Sequence, residues 1–442
     1  MLAYDFQLAI ASLKRHPGLS ALMVLAVALG IAVCTATFTV YHAMARNPIE
    51  WKNDQLYAVT IDSWSAERPY DDEAPENPPQ LLTYRDAMAL HDSGVPIRNV
   101  VMYKSGSVLD SGQSGAKPFL ADLRVTTGDF FAMFDVPFRY GGPWSAAADR
   151  GPEPVIVLSD ESNQKLFGGE DSVGRTVRVG EDEFRVAGVL GPWAPSPTFY
   201  DLNNGAFETP AEAYVPFRWG QLRELPVWGN TNCWKSEAGD SYEDFLNSEC
   251  IWVEMWAELP TAADRDRFQA WIDNYARAQK AAGRLPRPLN NRLYNVEQWL
   301  DFNKVVKRDN RVLIGIALLF LGVCLVNVVG LLLAKFLNGA ALTGLRRALG
   351  ASRRDIVRQH LAEVMLVGVA GGVVGLALGW LALAGVRAMY GESDDAYQHL
   401  TGMDPTVVVA TLALSLIAGL VAGLYPAWRI GRTAPAVYLK AQ

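Results

Sequence analysis

Three stretches of this chain have residue types and spacing that suggest chemistry. Gly169-Glu170-Asp171-Ser172-Val173-Gly174-Arg175-Thr176 has the glycine spacing of a phosphate-binding loop, with Arg175 in the place of the usual lysine. Such a loop works between a strand and a helix, whose first N–H groups face the phosphate. Thr176–Val179 has strand composition instead, so the stretch reads as a structural turn. The second is Cys233 with Cys250, which have no histidine at ligand spacing and therefore imply no metal. They read as two buried thiols or, in an oxidising compartment, as a bridge worth roughly 3 kcal/mol. The third is a concentration of charge: Arg346, Arg347, Arg353, Arg354 and Arg358 crowd one short segment. The histidines, His16, His42, His91, His360 and His399, are scattered, and neither an HExxH pair nor a GxSxG elbow occurs. The residues therefore point to no enzyme, no bound cofactor and no metal on this chain.

The elements around the arginines give them a setting. Apolar runs at 19–44, 309–337, 361–388 and 406–428 each exceed the roughly 20 helical residues that cross a 30 Å hydrocarbon core. The first is too long and uniform for a signal-peptide core. Cys34 and Cys324 lie in such runs and read as packing residues. The segment Asn47–Asn310 holds 26 basic and 40 acidic residues, whereas the whole chain is only −7, so the positive excess lies beside the spans. Basic flanks stay in the cytoplasm, which places the loop 338–360, the N-terminal segment 1–18 and the tail 429–442 inside. The domain 45–308 and a short loop 389–405 are then outside, and an acidic outer domain argues against nucleic acid. Residues 2–13 repeat apolar positions on one helical face, as a helix lying on the inner leaflet does. The fold class is thus an α-helical membrane protein with four transmembrane helices and a large α+β domain inserted between the first and second.

Within the central loop, Leu345, Ala348 and Leu349 share one face of a short helix and Arg346 and Arg347 another. Gly350 stops it, and Ser352 caps the helix that enters the membrane. A turn that only fixes topology needs none of this, so the loop reads as a docking element. Leu345–Glu363 (LRRALGASRRDIVRQHLAE), the glycine-rich Gly368–Gly379 and Ala418–Pro435 (AGLVAGLYPAWRIGRTAP) resemble the signature regions of MacB/FtsX-like ABC transporter permeases. Lys165–Leu190 is similar to that family's periplasmic core domain. The resemblance implies that Leu345, Arg346, Arg347, Ala348, Leu349 and Gly350 form the ATPase-coupling helix. It also implies an inner-membrane location and a separate ABC ATPase in two copies, since the family's fused ATPase is missing from this sequence. ATP and Mg would sit on that partner. A second permease, identical or homologous, is implied, together with a periplasmic adaptor and a TolC-like outer-membrane channel. The function implied is export by mechanotransmission of an antibiotic, peptide or similar small molecule. Lipoprotein release and FtsX-like signalling are the competing activities of the same fold.

Alternating strands and helices fill the outer domain, with strands expected at 55–62, 99–109, 119–125, 155–158 and 251–258 and a hairpin at 177–189. Residues 191–250, rich in Trp, Pro, Gly and Asn, read as an insertion, most of whose rings would form the core of an irregular subdomain. Residues 296–311 look like one helix running straight into the second span, a stalk. In the spans, Gly371, Gly375 and Gly379, and Gly419 and Gly423, have the four-residue spacing that lets helices approach closely. Glu363 and Arg387 bound the third span and are expected at its interfaces with water.

Overall fold

The computed structural model describes residues 2–113, 115–235, 239–306, 308–339, 344–347, 349–390, 401–402 and 404–431. The chain divides into two compact units, Asn47–Val305 and Met1–Arg46 with Val306–Gln442.

In the membrane unit the apolar runs become four long helices, Pro17–Ala45, Arg308–Asn338, Arg353–Tyr390 and Pro405–Gly431, preceded by the amphipathic helix Leu2–Arg15. Glycines set their spacing. A Cβ added to Gly371 would lie 2.6 Å from a Val27 methyl, and one on Gly375 2.8 Å from the Ala28 carbonyl oxygen. Gly379 faces Thr35 at 3.2 Å, so one stripe of the third spanning helix seats the first. On another side Gly419 meets the Gly368 backbone at 3.3 Å, and Gly423 meets Val364 at 2.7 Å, which seats the fourth helix. The glycine stripes are thus occupied within one chain. As the Ser352 cap predicts, the third helix begins at Arg353, ahead of the apolar run at 361: Asp355 N donates to Ser352 Oγ (3.2 Å) and Ser352 N to Asp355 Oδ2 (3.1 Å). The helix takes up the last eight residues of the loop 338–360.

The other unit is built on a mixed sheet. Its strands are Leu56–Thr60 (β1), Leu82–Thr83 (β2), Arg98–Asp110 (β3), Phe119–Thr126 (β4), Phe138–Gly141 (β5), Val155–Leu158 (β6), Thr176–Val179 (β7), Asp182–Leu190 (β8), Ala213–Pro216 (β9), Ile251–Glu258 (β10) and Arg292–Asn295 (β11). Their order is β11-β1-β10-β3-β4-β9-β6-β8-β5, with β2 beside β10 and β7 beside β3 and β8. β4–β9 and β6–β8 are parallel and the remaining pairs antiparallel. Alternate residues enter opposite cores, as the pleat requires: Tyr57 and Val59 one, Leu56 and Ala58 the other. β10 is buried along its whole length.

Two expectations need correction here. Residues 191–250 are not an appendage, because Ala213–Pro216 is β9, a buried strand in mid-sheet between β4 and β6. Its four residues are too short a run to show a period. Its buried rings form no separate core: Phe199, Tyr200 and Tyr214 join one core of the sheet and Phe217 and Trp219 the other, while Trp228 is exposed and covers Gly106, where any Cβ would collide with its ring. The stalk is also not one helix. Val296–Phe302 ends at Asn303, Lys304 takes φ +51°, and the helix resumes only at Arg308. Lys304 N donates to Asp301 O (2.9 Å) and Val305 N to Leu300 O (3.1 Å), the paired bonds of a Schellman stop.

Candidate functional site

Among the described residues, the basic loop holds one helical turn, 344–347, followed by a stop of the same kind. Gly350 N donates to Arg347 O (3.1 Å) and Ala351 N to Arg346 O (3.1 Å). Gly350 has φ +104°, and a Cβ there would meet nothing within 4 Å. Its requirement for glycine is therefore conformational and not a matter of space. Leu345 and Leu349 point into solvent, 52% and 80% exposed. Arg346 donates to Gln359, which straps the turn to the third spanning helix, and Arg358 pairs with Asp355 at 3.3 Å. Ala348 lies outside the described residues. What the site offers is an exposed leucine pair beside arginines, an arrangement suited to a groove rimmed with carboxylates.

Beneath the loop lies a cluster that reading the sequence did not place. Glu363 is fully buried instead of interfacial, and it is ion-paired to the buried Lys335 of the second spanning helix. Ser12 Oγ of the amphipathic helix donates to Glu363 Oε1 (3.1 Å), and His360 Nδ1 lies 3.7 Å from Oε2 with its ring against Phe336. Lys335 near the end of one apolar run and Glu363 near the start of the next is the available signal. Arg387 is exposed and donates to Thr401 Oγ1 (3.1 Å).

In the outer domain, Gly169 and Gly174 have φ +83° and +81°, Ser172 Oγ donates to Asn163 Oδ1 (2.6 Å), and strand β7 follows. This is a turn and lacks the helix N-terminus that holds phosphate. Cys233 and Cys250 are joined in a disulfide. Arg124 is buried in an ion pair with Asp201, with Glu254 3.8 Å away and the Tyr200 ring beneath the guanidinium. Burial pushes the Glu254 carboxyl well above its ordinary range, and the charge of Asp201 adds to that. Among the described residues, no three His, Cys, Asp or Glu side chains group as metal ligands.

The MacB-like periplasmic core domain matches residues 20–275, and the FtsX-like permease C-terminal domain matches 314–435. The chain belongs to the MacB/FtsX-like family of ABC transporter permeases. It is an inner-membrane protein of this family, multi-pass, with its large domain in the periplasm. Its relatives include the pyoverdine export ATP-binding/permease protein PvdT of Pseudomonas syringae pv. tomato, 24% identical over 383 residues, or 83% of this chain and 50% of that one. Another is the macrolide export ATP-binding/permease protein MacB of Azoarcus sp., 25% identical over 319 residues, covering 72% of this chain and 42% of that one. The chain thus spans about half the length of the curated relatives it matches or less. Among solved structures, the periplasmic region of MacB from Actinobacillus actinomycetemcomitans aligns with 60% of this chain and 98% of its own, at 13% identity and a TM-score of 0.37.

Proposed function

We propose that this permease exports a small molecule or peptide from the periplasm by mechanotransmission. ATP and Mg act on a partner ABC ATPase, present in two copies, and its closure displaces the basic loop. The displacement passes along the spanning helices to the periplasmic domain. A second permease, identical or homologous, completes the membrane unit, and an adaptor with a TolC-like channel carries cargo onward. The observation that carries this reading is the exposed pair Leu345 and Leu349 beside Arg346, held by a glycine stop. Exposed leucines in a charged loop gain from burial in a partner, at roughly 1.5–3 kcal/mol for each fully covered side chain. Relatives named for pyoverdine and macrolide export support the direction of transport and the size of cargo.

Co-purification tests it. Leu349→Asp places a charge in the groove, and Gly350→Val forces a β-branched residue toward φ +104°. Both variants are expected to insert normally while retaining at most a tenth of the bound ATPase, a loss of about 1.4 kcal/mol. Native levels of ATPase on both would show that the loop is only a turn.

A further inference from the structure

Charge buried among spanning helices is costly and marks a function by default. Lys335 ends the second spanning helix, and Glu363 lies about three turns into the third. Everything between the two helices, positions 339–352, is the basic loop, so this pair ties together the loop's two ends. Ser12 brings a third helix, Leu2–Arg15, to the same carboxylate. The cluster is not a saturated polar network. Among the described residues, Glu363 Oε2 and His360 Nδ1 have no hydrogen-bond partner, and they stand 3.7 Å apart. The carboxylate is held by one ammonium and one hydroxyl, each from a different helix.

We propose that Lys335, Glu363 and Ser12 are positioning residues that clasp the base of the loop. Through them the ends of the second and third spanning helices and the amphipathic helix move as one body. Gly350, with φ +104° and open space around it, is a natural joint within the loop. Without a clasp below that joint, a push on Leu345 and Leu349 would be absorbed by scissoring of the two helix ends. With it, both helices receive the displacement together. This rests on the permease reading, and the experiment separates the two.

Replacing a buried ion pair by apolar residues of similar volume often leaves stability unchanged, whereas removing one partner strands a buried charge. A clasp and a merely structural pair therefore respond differently to Lys335→Met/Glu363→Met. Spin labels would be placed at the exposed positions Ile10, Leu337 and Arg354, with Cys34 and Cys324 replaced by alanine, on the intact complex in nanodiscs. In the native pair the three distances are expected to stay constant between the nucleotide-free and ATP–vanadate states. In the double variant, which still assembles and hydrolyses ATP, the Leu337–Arg354 distance should change or broaden with nucleotide, and Lys335→Arg should behave as native. A change in the native protein beyond the roughly 2 Å of an ordinary helix shift overturns the clasp. So does a double variant whose distances stay fixed. If no ATPase co-purifies, the permease reading is what fails, and the Leu337–Arg354 distance in the permease alone decides about the clasp. It should be narrowly distributed in the native protein and broaden in the double variant at unchanged Tm; equal widths in the two overturn the proposal.

Discussion

At the scale of single residues, the outer domain's most exacting position is Arg124. Its guanidinium is buried against two carboxylates, Asp201 and Glu254, and an arginine so enclosed needs only one counter-charge. Asp201 is the charged partner, since the carboxyl of Glu254 is pushed well above its usual value by burial and by Asp201 itself. The sign of the pH effect follows. The folded protein keeps a proton that an unfolded glutamate releases near its ordinary pKa of about 4.3. The stabilisation is complete below that value and is lost as pH rises toward the folded-state pKa. Glu254→Gln, neutral at every pH and able to accept from Asn203 as Glu254 does, is expected to keep or raise Tm at pH 7 and to flatten its pH dependence. Asp201→Asn leaves the buried guanidinium without its counter-charge and should cost about 3–5 kcal/mol. Thermal scans of the full chain in detergent from pH 5 to pH 8 check both. A Tm for Glu254→Gln as pH-dependent as the native one would return the charge to Glu254. None of this was legible in the sequence, because Arg124, Asp201 and Glu254 come from three distant segments.

At the scale of elements, legibility tracked the residue that signals a boundary. The spans were readable because apolar length is a composition signal, and the helix start at Ser352 because it carries a capping side chain. The two Schellman stops make a controlled comparison. One has Gly350 at its left-handed position and was read correctly; the other has Lys304 there and was read as continuous helix. Lysine at φ +51° gives no glycine signal, and what holds it is the packing of Val305 and Leu300 below and the rings of Tyr294, Trp299 and Phe302 alongside. Strand β9 was missed for a similar reason, since four apolar residues cannot display alternation and only pairing with β4 and β6 defines them. The left-handed cost at Lys304 is testable. Lys304→Gly should be neutral or slightly stabilising, whereas Lys304→Val, β-branched at positive φ, should lose about 1–2 kcal/mol. Denaturant unfolding with unchanged slope would measure it. If valine were as stable as glycine, the turn would have to relax out of its left-handed conformation.

At the scale of the whole molecule, the chain passes between its two units only twice, at Arg46–Asn47 and at Val305–Val306. The broken stalk changes what those crossings can transmit. A continuous helix through 296–311 would have carried torque and thrust; a helix stopped at Asn303 carries chiefly displacement of its anchored end. That places a larger share of any mechanical role on the first crossing, where Arg46 is extended (φ −70°, ψ 135°) and the next residues are pinned. Asn47 is buried, accepts from Ile49 N (3.0 Å) and donates to Asn53 (3.1 Å), so the crossing ends at a fixed point. Four glycines inserted between Arg46 and Asn47 leave the internal contacts of both units in place but convert the crossing to random coil, which carries little force. The expected result is native Tm and native ATPase binding with loss of the ATP–vanadate-dependent change in hydrogen exchange across the periplasmic domain. Asn47→Ala, which releases the anchor without lengthening the chain, should weaken that response by a smaller amount. If the glycine variant responds to nucleotide as the native protein does, force does not travel through the first crossing, and the second must carry it despite its break.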